Sequence, residues 1–373
     1  MKKAIANIVV VLFAIWFFMS GVKPPEETAV DFHLNTFAGL PLKYDGRKKP
    51  VDTFARNMLT VLSDKQSLRL EDGTRVPAVQ WLLDNISGRP EAVDHKVFRI
   101  ESLDVLSSLG LEERKRFRYS YRELMPALNK LDAEARSAFN KDARQRDLFD
   151  KQVVKVANKV YLFQNIMASF EDSTAIPKGQ LMGTAQRYMQ LEQYSLPLTI
   201  PPNTGNTSWR PLMSTLLASN PAMASLPVGE SLVADPFAAR WATLLAAYRT
   251  GDTALFNETL DEYGAALLAG NPEVLHKLSF EVFYNRLGAF MKAAMLYLLV
   301  FVISCFGWLA RKRGPINAAL ALMVCAFIPH TFAIIARCFL SGYPPVTNLY
   351  SSAIFIGWAA VLAGIVLERG YRR

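Results

Sequence analysis

Residues 314–336 read GPINAALALMVCAFIPHTFAIIA, 23 consecutive residues without a formal charge, with Arg311-Lys312-Arg313 before them and Arg337 after. About 20 apolar residues rising 1.5 Å each span the ~30 Å of a bilayer's hydrocarbon, so this stretch predicts a transmembrane helix. Three more stretches approach that length: Ala4–Ser20 with 17 residues, Ala293–Ala310 with 18 and Leu349–Leu367 with 19. Lys2 and Lys3 precede the first, Arg311-Lys312-Arg313 separate the second from the third, and Arg369, Arg372 and Arg373 follow the fourth. Placing all three basic clusters in the cytoplasm makes the spans alternate correctly. Lys292 and Arg337 then fall on the outer side, each close enough to an interface to snorkel.

The expected fold class is therefore mostly α, an integral membrane protein with four transmembrane helices and a large exported helical domain between the first and second. Residues 1–20 are the N-terminal anchor, 21–290 the exported, periplasmic domain, and 291–373 a three-helix transmembrane region. The expected location is the inner (cytoplasmic) membrane, crossed several times. A cleaved signal peptide would need small residues before its cleavage site, and Phe18 or Met19 stands at the −3 position, so the first span is expected to remain as an anchor. Charge distribution agrees. Residues 21–290 carry 32 basic and 32 acidic side chains, while the other 103 residues hold ten basic residues and one acid, Glu368, which account for the whole +9. A polyanion-binding domain would carry its excess on the folded domain, so nucleic acid is excluded and membrane lipid is the expected partner.

Within the exported region Val22–Lys43 reads as extended and Asp45-Gly46 as a turn. Asp52 or Thr53 is placed to cap a helix running to about Leu62. Ala78–Ile86 reads as a helix and Val97–Ile100 as a short strand. Over Glu123–Phe170 apolar residues recur at helical spacing, with a break near Asp147, and Pro126 suits a first turn. Ser195–Ser208 and Asn220–Pro236 read as loops, and helices return over Trp209–Ala218, Phe237–Tyr248 and Ala254–Leu268. A last helix, from about Pro272, is expected to run through Phe283, Tyr284 and Leu287 into the second span.

The sequence carries no G-x-S-x-G, H-E-x-x-H, P-loop or G-x-G-x-x-G, so no catalytic residue is assigned. Cys305, Cys325 and Cys338 fall in or beside spans, without C-x-x-C or zinc spacing, and read as apolar packing. His33, His95 and His276 are isolated and read as surface or structural histidines. His330 differs, because it lies inside the third span, roughly six residues or ~9 Å below the outer end. An ionisable side chain in hydrocarbon is costly and marks function by default. A neutral imidazole there can ligate haem iron, or bond to a neighbouring helix carbonyl as packing. Arg337, seven residues on, shares a face two turns above, where a guanidinium can meet an anionic group such as a haem propionate or simply anchor the helix at the interface. In the loop that follows, Asn348 can cap the fourth helix and Tyr350 sits in its first turn, near Arg337.

Pro329-His330-Thr331, Arg337, Gly342-Tyr343-Pro344-Pro345-Val346-Thr347-Asn348-Leu349-Tyr350, Phe355 and Trp358, in that order, resemble the CcsA/ResC-type membrane proteins of system II cytochrome c biogenesis. There a transmembrane His with a downstream Arg precedes a Pro–Asn–Tyr–Glu–Ser segment opening the next span; this chain has Tyr350-Ser351-Ser352 at the end of that segment. Gly46-Arg47-Lys48-Lys49-Pro50-Val51-Asp52-Thr53-Phe54-Ala55-Arg56 and Glu281-Val282-Phe283-Tyr284-Asn285 resemble the extra domain of a large subgroup of the family. The resemblance is to the front half of such a protein. The Trp-rich haem-handling (WWD) segment with its flanking histidines is absent from these 373 residues, so either a separate polypeptide carries it or the chain is a truncated or incomplete product.

The resemblance implies a component of the cytochrome c maturation machinery that helps bind or deliver haem. His330 would be an axial metal ligand, with Arg337 and Tyr350 at the outer lip of the cofactor site. The implied partners are a subunit carrying the WWD half, a ResB-like subunit and apocytochrome c. Catalytic attachment by this chain alone is not expected. Two rival readings are a membrane-anchored scaffold without a haem site and an accessory subunit of a sensor or transporter.

Overall fold

The structure, a computed structural model, describes residues 2–24, 26–174, 176–202, 208–220, 235–270, 272–347 and 349–371. Asn348, expected as a helix cap, lies outside the described residues, as do Arg372, Arg373 and parts of the two expected loops, 203–207 and 221–234. The chain divides into two compact units: a central one in sequence, Glu27–Leu278, and a terminal one made of Met1–Glu26 with Ser279–Arg373.

In the central unit Asp45-Gly46 forms the predicted turn, joining antiparallel strands Pro41–Tyr44 and Arg47–Pro50 in register Tyr44↔Arg47. Both turn residues take positive φ, 50° and 74°, the geometry whose twist matches a two-residue hairpin. The strand leads directly into the helix Val51–Ser63. Neither Asp52 nor Thr53 caps it: extended Pro50 is the N-cap, and no side chain caps it. Asp52 instead lies in the first turn, where helix N–H groups favour a carboxylate, and accepts a bond from Arg56 Nε at 2.8 Å. Phe54, Ala55, Met58, Leu59 and Leu62 make the buried face.

The helix Ala78–Ile86 forms as expected, and the short strand is Phe98–Arg99, paired antiparallel with Arg118–Tyr119. The long helical pattern resolves into Leu128–Asn140 and Leu148–Ser169, with Pro126 in the 3₁₀ turn Met125–Ala127. The break has a cause. Asp147 and Asp150 form a capping box, each side chain accepting from the other's backbone N–H, at 2.7 and 3.2 Å. The later helices are Leu212–Ala218, Pro236–Thr250 and Thr253–Gly270. Three helices were not expected: Leu34–Ala38, inside the region read as extended, Leu103–Leu109 and Lys178–Leu191. The last buries only Leu181 and Tyr188, too sparse an apolar stripe to show a period. One core runs from Phe37 to Leu267, and a satellite forms around Leu181, Tyr188, Leu196, Met213 and Leu217.

Among the described residues three helical segments, lying largely in the terminal unit, are long and apolar enough to cross a membrane: Leu275–Leu309, Arg313–Ser341 and Leu349–Tyr371. The N-terminal helix, Lys2–Met19, shows a shorter apolar segment, Ile8–Met19, among the described residues. The first of the three is not one unbroken helix, as the sequence suggested. Pro272–Leu287 ends at Gly288, whose left-handed φ of 56° favours a residue without Cβ, and Ala289–Leu309 begins anew. The contact boundary between the units falls at Ser279, ahead of the expected residue 290, because Phe280 packs edge-on against Phe332 and Phe339 of the terminal unit at 6.3 and 6.0 Å. Small residues line the helix contacts: Ala14, Ala289, Ala293, Ala319, Ala326 and Ala333. They let helix backbones approach closely, which drives association where lipid removes the hydrophobic gradient. Lys292 turns its ammonium to the last carbonyls of the N-terminal helix, donating to Phe18 O at 2.8 Å.

Candidate functional site

Pro329 lies inside the helix Arg313–Ser341, where it cannot donate to the carbonyl four residues back and loosens the turn that carries His330. His330 itself is 7% exposed. Its ring sits beside two aromatics from the helix Ala289–Leu309: Phe290, edge-on at 5.9 Å, and Tyr297, at 5.7 Å between ring centroids. Phe290 and Tyr297 are seven residues apart, two turns on one helix face. The Tyr297 hydroxyl is 3.2 Å from His330 Nδ1. When Nδ1–H donates to that oxygen, the lone pair is left on Nε2, the tautomer that ligates a metal. When the hydroxyl donates instead, His330 is a satisfied packing group.

Arg337 and Tyr350 meet, as the sequence suggested, through the ring face: the guanidinium carbon is 5.1 Å from the Tyr350 centroid, a cation–π contact. Arg337 is half-buried and Tyr350 58% exposed. His330 and Arg337 share the helix Arg313–Ser341 two turns apart, while the polar contact of His330 is with Tyr297, which the sequence reading missed. The signal available was a tyrosine inside an apolar run, but its pairing across 33 residues is tertiary information. A second missed contact fixes the last helix. Trp358 Nε1 donates to Thr331 Oγ1 at 2.8 Å, and Thr331 Oγ1 donates to Phe327 O at 2.8 Å, one residue from the histidine. Tyr284 Oη reaches Ala333 O at 3.3 Å.

Among the described residues no group of three or more His, Cys, Asp or Glu could hold a metal ion. His330 therefore stands as a single imidazole donor, with Tyr297 as its polar neighbour. The three cysteines are free; Cys305 is exposed, and Cys325 and Cys338 are half-buried.

The central unit holds a separate buried polar cluster. Tyr248 Oη donates to Asp84 Oδ1 at 2.7 Å, and Arg89 lies 3.9 Å from the same oxygen while its guanidinium stacks on the Tyr248 ring at 4.0 Å. Burial pushes the Asp84 carboxyl above its ordinary range, against the Tyr248 bond and the nearby positive charges. Burial likewise holds His95 below the usual imidazole value, and its Nδ1 is buried without a hydrogen-bond partner. A cavity of about 530 Å³ is lined by Phe163, Met167, Phe170 and Leu245, among others, with Glu171, Asp172 and Arg249 contributing charges.

No protein-family model matches this chain, and no solved structure matches it. Among curated proteins, Protein NrfI of Wolinella succinogenes is 29% identical over 101 residues, covering 25% of this chain. The match spans 11% of the length of that protein.

Proposed function

We propose that this chain is a membrane component of the cytochrome c maturation machinery that binds haem, or passes it on, for attachment to exported apocytochrome c. The observation that carries the reading is His330: an ionisable ring buried in a long apolar helix, with Nδ1 engaged by Tyr297 and Arg337 two turns along. The ordered motifs from Pro329 to Trp358 support it, and the stretch shared with Protein NrfI supports a general role in cytochrome c maturation.

In this reading the Tyr297 hydroxyl orients the imidazole and fixes its tautomer, leaving Nε2 to bind iron. Phe290 would shield one side of the ring from water, and the half-buried Arg337, in cation–π contact with Tyr350, would hold an anionic group of the cofactor. Haem, when bound, supplies the iron and the vinyl groups that thiols of an apocytochrome add to. A WWD-bearing subunit and a ResB-like subunit are the proposed partners. The N-terminal helix adds a span to the three longer ones, both ends lie in the cytoplasm and Glu27–Leu278 is periplasmic, because that orientation puts the three basic clusters on the cytoplasmic side. A reporter fused after Arg373 and active only outside the cytoplasm overturns this orientation.

The haem test uses the full chain purified with whatever subunits accompany it. His330→Ala lowers Soret absorbance at least about fivefold with unchanged helix content, and His330→Cys shifts the spectrum as a changed axial ligand does. Arg337→Gln lowers occupancy by a smaller factor while the protein still accumulates. The scaffold reading, favoured by the Tyr297 contact as plain packing, requires no haem in the wild-type protein, or the same spectrum in all three variants; either result sinks the ligand role.

A further inference from the structure

The turn between helices Ala289–Leu309 and Arg313–Ser341 is built from the wrong residue for its shape. Lys312 N donates to Gly307 O at 3.0 Å and Arg311 N to Trp308 O at 3.1 Å, the two bonds of a helix-ending motif whose left-handed position favours glycine. That position is Arg311, with φ of 50°. A cation stands where backbone geometry alone asks for no side chain.

The next helix starts against this turn. A Cβ on Gly307 would lie 2.8 Å from Ile316 Cγ1 and 3.2 Å from Ile316 N, so the two helix ends are pressed together. They enclose a concave space of about 420 Å³ whose lining includes Trp308, Leu309, Arg311, Lys312, Arg313 and Ile316. Among the described residues, none of the three cationic side chains has an ion-pair or hydrogen-bond partner. No side chain caps the helix at Lys312. The N–H groups of Arg313 and Gly314 therefore lack intrahelical acceptors, and Pro315 has none to satisfy. Three cations and the positive end of a 29-residue helix border one hollow.

The geometry points to a site for the headgroup of an anionic phospholipid, its phosphate held by Arg311, Lys312 and Arg313 and its acyl chains lying along Trp308 and Leu309. The apolar half of the site decides between a lipid and a soluble anion. Trp308 and Leu309 are 80% and 82% exposed at the end of a segment long and apolar enough to cross a membrane, where the hydrocarbon meets the headgroups. Inorganic phosphate would use the cations and leave that surface uncovered. The inference rests on these helices crossing a membrane and is independent of the haem reading.

The test titrates the purified full chain in detergent, where orientation is not a variable, and follows bound lipid by native mass spectrometry. Phosphatidylglycerol is expected to bind at least about tenfold better than phosphatidylcholine of the same acyl chains. Replacing Arg311 and Arg313 together by Gln is expected to weaken phosphatidylglycerol binding about 30-fold, at ~1 kcal/mol per basic residue, while Arg369→Gln on the last helix leaves it unchanged. Arg311→Gly relieves the backbone at its left-handed position, so it keeps the fold and still loses several-fold in affinity. Equal binding of the two lipids, an unaffected double variant, or displacement by millimolar inorganic phosphate overturns the lipid assignment.

Discussion

The two units of this chain bury opposite kinds of residue. In Glu27–Leu278 the largest fully buried side chains are aromatic: Trp81, Trp241, Tyr119, Tyr188, Tyr248 and Tyr263 lead them. In the terminal unit the buried contacts are rich in alanine, and large apolar side chains point outward, with Leu309 82%, Leu349 89% and Trp308 80% exposed. Water drives large apolar surface inward; hydrocarbon exerts no such drive, so small residues that let helices touch take the inside. Polar groups follow the same division. The central unit pairs charges, Asp52 with Arg56, Lys141 with Asp150 and Arg210 with Asp235. The contacts around His330 are made by neutral groups, Tyr297 with the imidazole and Trp358 with Thr331. The terminal unit thus shows the packing expected of helices in hydrocarbon, and the central unit that expected in water.

The sharpest way to break that comparison is to delete one large apolar side chain from each unit. Trp241 is fully buried, packs on Phe37 and Phe170 at 5.6 and 5.7 Å, and donates from Nε1 to Tyr263 Oη at 3.0 Å. Trp241→Ala is expected to cost about 3–5 kcal/mol, from the lost burial and the cavity. Leu349→Ala, on a side chain that faces outward, is expected to cost less than about 0.5 kcal/mol in detergent. Denaturant unfolding of the full chain, read by circular dichroism, measures both. Comparable losses would mean that the terminal unit is packed like a water-soluble core.

The same division explains what the sequence made legible. Membrane-type helices were readable because the apolar run is itself the signal and needs no period. The Asp45-Gly46 turn and the break near Asp147 were readable because the chemistry is local: two residues that tolerate positive φ, and a carboxylate that caps the N–H three residues on. The misplaced cap at Asp52 or Thr53 is also local, since Pro50 already holds the extended conformation that starts the helix. Gly288 was invisible, because a glycine among apolar residues reads the same whether it kinks the chain or packs in a helix. At the site, His330 announced itself as an ionisable group in an apolar run, and the Arg337–Tyr350 encounter followed from a short loop. Tyr297 and Phe290 lie on another helix, and nothing local specifies which face of one span meets which face of the next.

The smallest expected effect tests whether the central unit keeps a carboxylic acid, and not a carboxylate, inside its core. Asp84 is buried on the helix Ala78–Ile86, accepts from Tyr248 Oη, and faces Arg89, Glu91 and His95. Burial raises its pKa more than Tyr248, His95 and Arg89 lower it. The folded carboxyl therefore holds its proton more tightly than the unfolded one. Its contribution to stability is fully present below the unfolded value, near 3.9, and is lost as pH rises through the folded value. Asp84→Asn keeps an oxygen for the Tyr248 hydroxyl and cannot ionise. The melting temperature of the variant, relative to wild type, should therefore climb between about pH 4 and pH 8. His95, whose pKa burial lowers, is a second titratable neighbour, and making both measurements in a His95→Gln background removes it. A gap that is flat with pH, or that narrows, would show that Asp84 is ionised in the folded protein and that Arg89 and Tyr248 outweigh its burial.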